Sequence, residues 1–208
     1  MIRLTTKRLE IRQFDLKDKE ELYQIIQDES IARYLPGIYT NSELDLDREL
    51  NLYIKGDCKN DIYLALVDKT TGKLIGAIIL VRTYKSNMEL SYFVCKEKRG
   101  QGIILEAMEE FLKWYSEDNF NNTIVVDVMK SNNSSMRLCN KMIDLRIPLL
   151  LMFENEVRKI YIIRPWAFRH WIIWLAHLDY YITKKPRICV VFNLNTISLR
   201  IEVLFLLF

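Results

Sequence analysis

A turn with two glycines, Arg99 to Gly102 (RGQG), constrains this chain more than any other feature. A strand is predicted to end near Cys95 before the turn, and an amphipathic helix is predicted to follow it. Glycine adopts backbone conformations that other residues resist, and it lets the backbone approach a ligand closely. Amides at the start of a helix favour an anion such as phosphate. A lone Gly-x-Gly is also typical of a tight turn without a ligand, so both interpretations stay open here.

The composition is that of an ordinary globular protein. The chain has 208 residues, 50% of them hydrophobic and 27% charged, which is enough for one sizeable domain or a domain with an appendage. The net charge of +3 permits an anionic cofactor, but clustered lysines and arginines, which indicate a nucleic-acid partner, are missing. Four scattered cysteines without a CxxC pair predict neither a metal site nor a disulfide framework. We expect reduced thiols, a cytoplasmic protein and no signal peptide.

Hydrophobic periodicity predicts a mixture of strands and helices. Short turns join the three strands predicted between residues 62 and 95, which favours antiparallel pairing. A helix separates the strand that ends near Cys95 from the strand that begins near Thr123, which implies that these two are parallel. The predicted fold class is α/β (α+β), with a mixed, mostly antiparallel central sheet and helices on both faces. Strands are predicted around Leu9–Gln13, Ile62–Asp68, Leu74–Val81, Met88–Cys95 and Thr123–Met129, and helices from Asp15 to about Asp28, after Asn41 or Ser42, after Gly102 and after Ser131.

The pattern weakens after Met142. Residues 145–153 and 157–163 are consistent with a hairpin, and Pro165 ends it. Residues 166–208 are strongly apolar, but charged and polar residues interrupt them too often for a membrane span. We therefore predict one domain over residues 1–165, degenerate from residue 143, and a C-terminal extension over 166–208. A diverged end or a shifted reading frame is our hypothesis for the break.

Four motifs, taken in order, resemble the GNAT superfamily of acetyl-CoA-dependent N-acetyltransferases, and within it the RimJ/RimL-like ribosomal-protein-alanine acetyltransferases. The resemblance covers residues 1–142. It departs at Glu97, where the superfamily often has Gln or Arg, and at Ile143-Asp144, where Gly-Phe is expected. The motifs are TTKRLEIR at residues 5–12 with ARYL at 32–35, ELSYFV at 89–94, RGQGI at 99–103 followed by Glu106-Ala107, and Asn132-x-x-Ser135-x-x-Leu138-x-x-Lys141.

The resemblance implies an enzyme that binds acetyl-CoA and transfers its acetyl group to a primary amine. Asn132 is expected to contact the pantetheine arm, to cap a helix, or to do both. An oxyanion needs hydrogen-bond donors, and backbone amides around Phe93 and Val94 are the candidates. The pyrophosphate is expected on the turn formed by Arg99, Gly100, Gln101 and Gly102.

The resemblance also assigns chemistry to side chains. Glu89 is the candidate base for the amine, although a surface carboxylate is the alternative. Cys139 occupies the position where many members carry a Tyr that protonates the CoA thiolate, but a buried structural cysteine is the more common meaning of such a residue. Tyr34 and Tyr92 are candidate substrate contacts, and core packing is equally consistent with Tyr92.

The acceptor cannot be read from these residues, so a protein N-terminus and a small amine both remain candidates. No metal and no particular oligomeric state are predicted. Two other classes compete with an active enzyme: a degenerate protein that binds CoA without transfer, and an α/β domain with a generic anion-binding turn whose apolar tail docks a partner.

Overall fold

The computed structural model describes residues 2–36, 38, 43–55, 61–82, 88–118, 124–144, 149–154 and 157–163. Short 3-10 turns at Leu16–Asp18 and Lys96–Lys98 precede the first helix and the glycine turn. The strands in these ranges are β1 (Arg3–Thr5), β2 (Leu9–Gln13), β3 (Ile62–Asp68), β4 (Leu74–Arg82), β5 (Met88–Val94), β6 (Ile124–Met129), β7 (Leu149–Glu154) and β8 (Arg158–Ile163). The helices are α1 (Lys19–Ile26), α2 (Glu29–Tyr34), α3 (Glu43–Lys55), α4 (Ile103–Asp118) and α5 (Asn133–Asp144).

These strands form one sheet in the order β1-β2-β3-β4-β5-β6-β8-β7. Neighbouring strands are antiparallel, except β5 and β6, which run parallel because α4 connects them. The mixed, mostly antiparallel sheet is therefore confirmed. The hairpin expected near the end of the recognisable pattern is also present, since β7 pairs with β8 and β8 lies between β6 and β7.

Different helices cover the two faces of the sheet. Buried residues of α1, α2 and α3 pack on one face against residues such as Ala77 and Phe93. Buried residues of α4 and α5 pack on the other face against residues such as Ile78 and Leu90. Because successive strand residues point to opposite faces, Glu89 lies on the face of α1–α3 and Tyr92 on the face of α4 and α5. This arrangement confirms the prediction of helices on both faces.

β5 and β6 separate after a short paired stretch. Met88 pairs with Ile124 and Glu89 with Val125, and β5 and β6 form no further pair in the part of the chain that the structure describes. Beyond this point β5 continues to pair with β4, and β6 with β8. Because β5 stays paired with β4 and β6 with β8, the sheet opens between β5 and β6 while both strands remain part of it. We call this opening the β5–β6 cleft; its two edges are residues 90–94 and 126–129.

The N-terminal region differs from the prediction in its helices, in one turn and in its first strand. The helix expected from Asp15 to about Asp28 begins as a 3-10 turn and continues as α1 to Ile26, close to its expected end, whereas α2 directly after it was not predicted. The Asp28 carboxylate accepts a hydrogen bond from the Ser30 amide at 2.8 Å, which fixes it as the N-cap of α2. The turn was predicted to begin at residue 33, and this start was wrong because α2 continues through residue 34. β1 was not predicted, since three residues give too short a pattern.

Some predictions lie outside the described residues and stay predictions. They include the helix-start candidates Asn41 and Ser42 and the apolar extension over 166–208. Within the described ranges, none of the helices combines the length and apolarity that crossing a bilayer requires.

β4 and β5 come close together at Gly76. A Cβ atom on this residue would lie 2.3 Å from the Phe93 carbonyl oxygen and 3.0 Å from the Val94 Cα atom. Both are backbone atoms, so no side-chain rotation could relieve the contact. The strand pair beside the cleft therefore requires glycine at position 76.

We predict that Gly76→Ala lowers the free energy of unfolding by roughly 2–3 kcal/mol, because β4 and β5 must move apart to admit the methyl group. Gly72→Ala is the matched control. Gly72 has a φ of +69° with nothing within 4 Å of an added Cβ, so its substitution costs only backbone strain of about 1 kcal/mol. Urea unfolding measures both variants. A loss at Gly76 no larger than the loss at Gly72 would contradict the close approach.

Candidate active site

The glycine turn has the unusual backbone that the sequence predicted. Gly100 and Gly102 have φ values of +72° and +73°, in the left-handed region that favours glycine. An added Cβ would meet nothing within 4 Å at Gly100, and at Gly102 only Arg8 Nη2, 3.8 Å away. These glycines are therefore needed for backbone conformation and not for lack of space. The surface of the turn is exposed.

α4 begins directly after this turn. The Glu106 amide donates to the Gly102 carbonyl at 3.0 Å, which closes the first turn of the helix. The amides of residues 103–105 precede it and have no acceptor within the helix. They point out of the helix N-terminus together with the positive end of its dipole. The exposed turn and these amides form a surface suited to an anion.

The start of the chain holds the turn in place through Glu106. The Glu106 carboxylate accepts hydrogen bonds from the Thr6 hydroxyl at 2.5 Å, the Arg8 amide at 2.8 Å and Arg8 Nε at 2.6 Å. Arg8 Nη1 also donates to the Gln101 carbonyl within the turn at 2.9 Å. Burial alone would raise the pKa of Glu106, but the hydrogen bonds from Thr6 and Arg8 outweigh it, so the pKa is lowered and the carboxylate stays charged.

Thr6, Arg8 and Glu106 belong to the motifs that carry the family resemblance, but the sequence predicted no role for their side chains. We call Thr6, Arg8 and Glu106 the N-terminal clamp. The signal available in the sequence was the presence of opposite charges in two of the motifs, Arg8 in the first and Glu106 in the third. Their separation of 98 residues hides the contact, because sequence spacing predicts contacts only within one element.

The side chains of the turn stabilise the turn itself. Arg99 Nε donates to the Val94 carbonyl at 3.2 Å, and Arg99 Nη2 lies 3.3 Å from the Asp28 carboxylate. Gln101 Nε2 donates to the Glu97 carbonyl at 2.7 Å. The backbone amide of Arg99 is also engaged, since it donates to the Lys96 carbonyl at 3.3 Å. Of the contacts predicted for these two residues with an anion, one through the backbone amide of Gln101 is left.

β5 offers backbone amides to the cleft in an alternating pattern. The Cys95 amide donates to the Ile75 carbonyl of β4 at 2.7 Å, whereas the Val94 carbonyl accepts from the Arg99 side chain. Successive residues of a strand direct their backbone groups to opposite sides. The amides of Tyr92 and Val94 therefore face the cleft, and the Phe93 amide faces β4. Of the predicted pair Phe93 and Val94, the structure brings only Val94 to the cleft.

Glu89 lies where the cleft begins. It belongs to the last residue pair that joins β5 to β6, opposite Val125, and it is partly buried. Burial raises the pKa of its carboxyl, the nearby charge of Asp127 raises it further, and Arg158 lowers it. The net pKa is above the ordinary value for glutamate, so Glu89 binds a proton more readily than an exposed carboxylate does.

On the opposite face, Tyr92 and Cys139 belong to one polar group under α5. The hydroxyls of Tyr92 and Ser135 hydrogen-bond to one another, and the Cys139 thiol lies beside Tyr92. Cys139 is 1% exposed, and burial raises the pKa of its thiol to about 12 even though Tyr92 lowers it. Cys139 is therefore neutral, and burial also raises the pKa of Tyr92.

Asn132 and Tyr34 lie at the open end of the cleft. Asn132 Oδ1 accepts from the Ser135 amide at 3.1 Å and so caps α5, as one of its two predicted roles requires. The Tyr34 hydroxyl donates to the Ser131 carbonyl at 3.1 Å. Since Asp28 at the other end of α2 contacts the glycine turn, α2 is attached to the loops on both sides of the cleft.

Known proteins are similar to this chain in sequence and in fold. Residues 8–142 match the family model of the acetyltransferase (GNAT) domain. The uncharacterized N-acetyltransferase YnaD of Bacillus subtilis (strain 168) is 26% identical over 140 residues, which is 66% of this chain and 79% of that protein. A GNAT-family acetyltransferase from Bacillus anthracis has a TM-score of 0.66 at 18% identity, over 79% of this chain and 99% of that one. RimL, the ribosomal L7/L12 α-N-protein acetyltransferase solved with coenzyme A, has a TM-score of 0.63 at 13% identity, also over 79% and 99%.

The matched residues include Glu89, the glycine turn and Asn132, and they span more than half of the chain. At these identities the solved structures establish the fold, and the family model establishes the relationship. Acetyl-CoA is the acetyl donor that the family uses. The chain belongs to the GNAT family of acetyltransferases.

Proposed function

We propose that this protein transfers the acetyl group of acetyl-CoA to a primary amine by direct attack of the amine on the thioester. The observation that carries the proposal is the β5–β6 cleft, which opens at the same end of β5 as the glycine turn. An extended cofactor with a pyrophosphate at one end and a thioester at the other fits a site that joins an anion-binding turn to an open strand edge.

The residues suited to hold the cofactor are those whose hydrogen-bond donors are not used within the described part of the fold. The amides of the turn, Gly100 to Gly102, and those at the start of α4 suit the pyrophosphate. The cleft-facing amide of Tyr92 suits an amide group of the pantetheine arm. The side-chain nitrogen of Asn132 donates to no residue in the described part of the chain and can join them. Acetyl-CoA supplies a thioester whose carbonyl carbon is the electrophile.

Glu89 is our proposed base. A bond forms between the amine nitrogen and the acetyl carbon, the bond from that carbon to sulfur breaks, and the amine gives up a proton directly or through water. A carboxylate with a raised pKa accepts this proton more readily than an ordinary one. The cleft-facing amide of Val94 is the proposed donor to the oxyanion.

Cys139 is the proposed source of a proton for the departing CoA thiolate. Its neutral thiol has a proton to give, but a pKa of about 12, against about 8.5 for an ordinary thiol, makes it a weak acid. We therefore expect its contribution to turnover to be smaller than that of Glu89.

The proposed acceptor is a protein N-terminus or a small amine. The likeness to RimL, a ribosomal L7/L12 α-N-protein acetyltransferase, favours a protein N-terminus. Tyr34, which is attached to the open end of the cleft, is the proposed acceptor contact. Tyr92 is the second, although its hydrogen bond with Ser135 on the α5 face is equally consistent with packing.

A protein that binds CoA without acetyl transfer is the alternative, because Ile143-Asp144 replaces the family's Gly-Phe. That change does not remove the last strands. β8 pairs with β6 along its whole length, from Ile163 opposite Ile124 to Arg158 opposite Met129. Release of thiol from acetyl-CoA across a panel of amines and peptides separates the two functions.

We predict that acetyl-CoA stabilises the protein against heat, by about 2.7 kcal/mol at a hundredfold excess over its Kd. Gly100→Val and Gly102→Val should remove most of this stabilisation, because valine resists the left-handed backbone of the turn. Gly72→Val is the control, since Gly72 has a similar φ of +69° but lies in the β3–β4 hairpin. Differential scanning fluorimetry with and without acetyl-CoA gives the comparison. An undiminished shift in both turn variants would refute the assignment of the turn.

We predict that Glu89→Gln lowers kcat roughly a hundredfold, the lower range for loss of a general base, and leaves the acetyl-CoA thermal shift intact. In the wild type, kcat/KM should fall as the pH drops through the raised pKa of Glu89, because the protonated carboxyl cannot accept a proton. This acid limb should be lost in Glu89→Gln. Cys139→Ala is the companion variant and should reduce kcat less. Unchanged turnover in Glu89→Gln would remove this residue from the mechanism.

A further inference from the structure

Asp127 lies across the cleft from the base that we propose. Glu89 is paired with Val125, and Asp127 follows two residues later on β6. Alternate residues of a strand share a face, so Asp127 lies on the same face as Glu89. It sits beyond the last β5–β6 pair and therefore on the β6 edge of the cleft.

Arg158 of β8 holds Asp127 in this position. Arg158 Nη1 donates to the Asp127 carboxylate at 2.5 Å. The register pairs Asp127 with Ile160 and Met129 with Arg158, so the two charged side chains are diagonal neighbours on one face of adjacent strands. Their side chains are 25% and 47% exposed, which leaves the pair accessible from solvent.

We infer that the Asp127–Arg158 ion pair forms the acceptor side of the site, where Asp127 attracts the ammonium form of the amine and Arg158 limits the negative charge beside Glu89. The inference rests on the proposed role of Glu89. It names cationic amines as the acceptor class. Both residues act through Glu89 and the incoming charge, so they are positioning residues.

The charges around Glu89 support this arrangement. Within the part of the chain that the structure describes, Asp127 from β6 and Arg158 from β8 are the charged groups that act on Glu89 besides its own burial. β4 contributes only the uncharged Val81 opposite Glu89. The two partners of one ion pair therefore act on Glu89 with opposite signs.

The pair lies outside the motifs that carry the family resemblance. The motifs quoted on either side end at Ala107 and resume at Asn132, and the family model ends at residue 142, before Arg158. The family resemblance therefore assigned no role to either residue, and the role that we infer for them rests on the geometry of this chain.

Two variants that break the same ion pair from opposite sides test the inference. Asp127→Asn removes a negative charge, so the Glu89 carboxyl should titrate at lower pH than in the wild type. Arg158→Gln removes a positive charge and leaves Asp127 unneutralised, so Glu89 should titrate at higher pH. Carboxyl NMR of the full chain without substrates follows this titration, and the double variant should return near the wild type. A melting curve of each variant checks that it folds.

Kinetics supply the second measurement. With one amine acceptor, the acid limb of kcat/KM should move to lower pH in Asp127→Asn and to higher pH in Arg158→Gln. The ionisation of the free amine is common to all variants and does not contribute to the difference. Asp127→Asn should also raise the KM of the amine by roughly threefold, as expected for loss of one partly exposed charge interaction, with the acetyl-CoA KM unchanged.

If the pKa of Glu89 moved in the same direction in both variants, or did not move in either, the inference would be overturned. An ion pair with only a structural role would be broken in the same way by either substitution. Failure of the proposed function looks different. In that case the wild type releases no thiol with any amine and the acceptor role is rejected, while the NMR titration still decides whether the pair acts on Glu89.

Discussion

Pairing between β5 and β6 ends at Glu89 and Val125, and the site depends on that ending. A continuous sheet would occupy every backbone amide of β5 and leave no room between the strands. Here β4 and β8 retain the two separating strands on their outer sides. The result is a rigid cleft made from sheet, in which donors on β5 remain unused by the fold. The base proposed for catalysis lies where the cleft starts, and the turn proposed to bind the pyrophosphate lies where it ends.

Segments near the two ends of the described domain contact residues that are far away in the sequence. The N-terminal clamp fastens the glycine turn through Glu106, and Arg99 joins the same turn to Asp28 at the start of α2. The turn is thereby positioned by ion pairs and hydrogen bonds on two sides, while its own glycines supply the left-handed backbone. At the other edge of the cleft, β8 brings Arg158 to Asp127. The proposed cofactor side and the proposed acceptor side of the cleft are each held by a distant segment of the chain.

The local patterns in the sequence predicted the central strands almost to the residue. Ile62–Asp68 is β3 without change, because a run of apolar, β-branched residues between polar turns has one stable place in a buried sheet. The first helix ends close to Asp28 as expected, but α2 escaped prediction, since only the capping contact of Asp28 with Ser30 reveals that a new helix begins there. The clamp and the Asp127–Arg158 pair escaped as well. Long-range charge contacts carry no periodicity, and the pKa of Glu89 depends on burial that only the fold defines.

Amide hydrogen exchange at single-residue resolution, with and without acetyl-CoA, tests most directly whether the β5–β6 cleft holds the cofactor. The amides of Tyr92 and Val94, which face the cleft, should exchange more slowly once acetyl-CoA is bound, as should those of the turn at residues 100–105. The Phe93 amide between them already faces β4 and should change little. Slower exchange at alternate residues of β5 is the result we expect. Unchanged exchange at Tyr92 and Val94 in a protein saturated with acetyl-CoA would contradict the account.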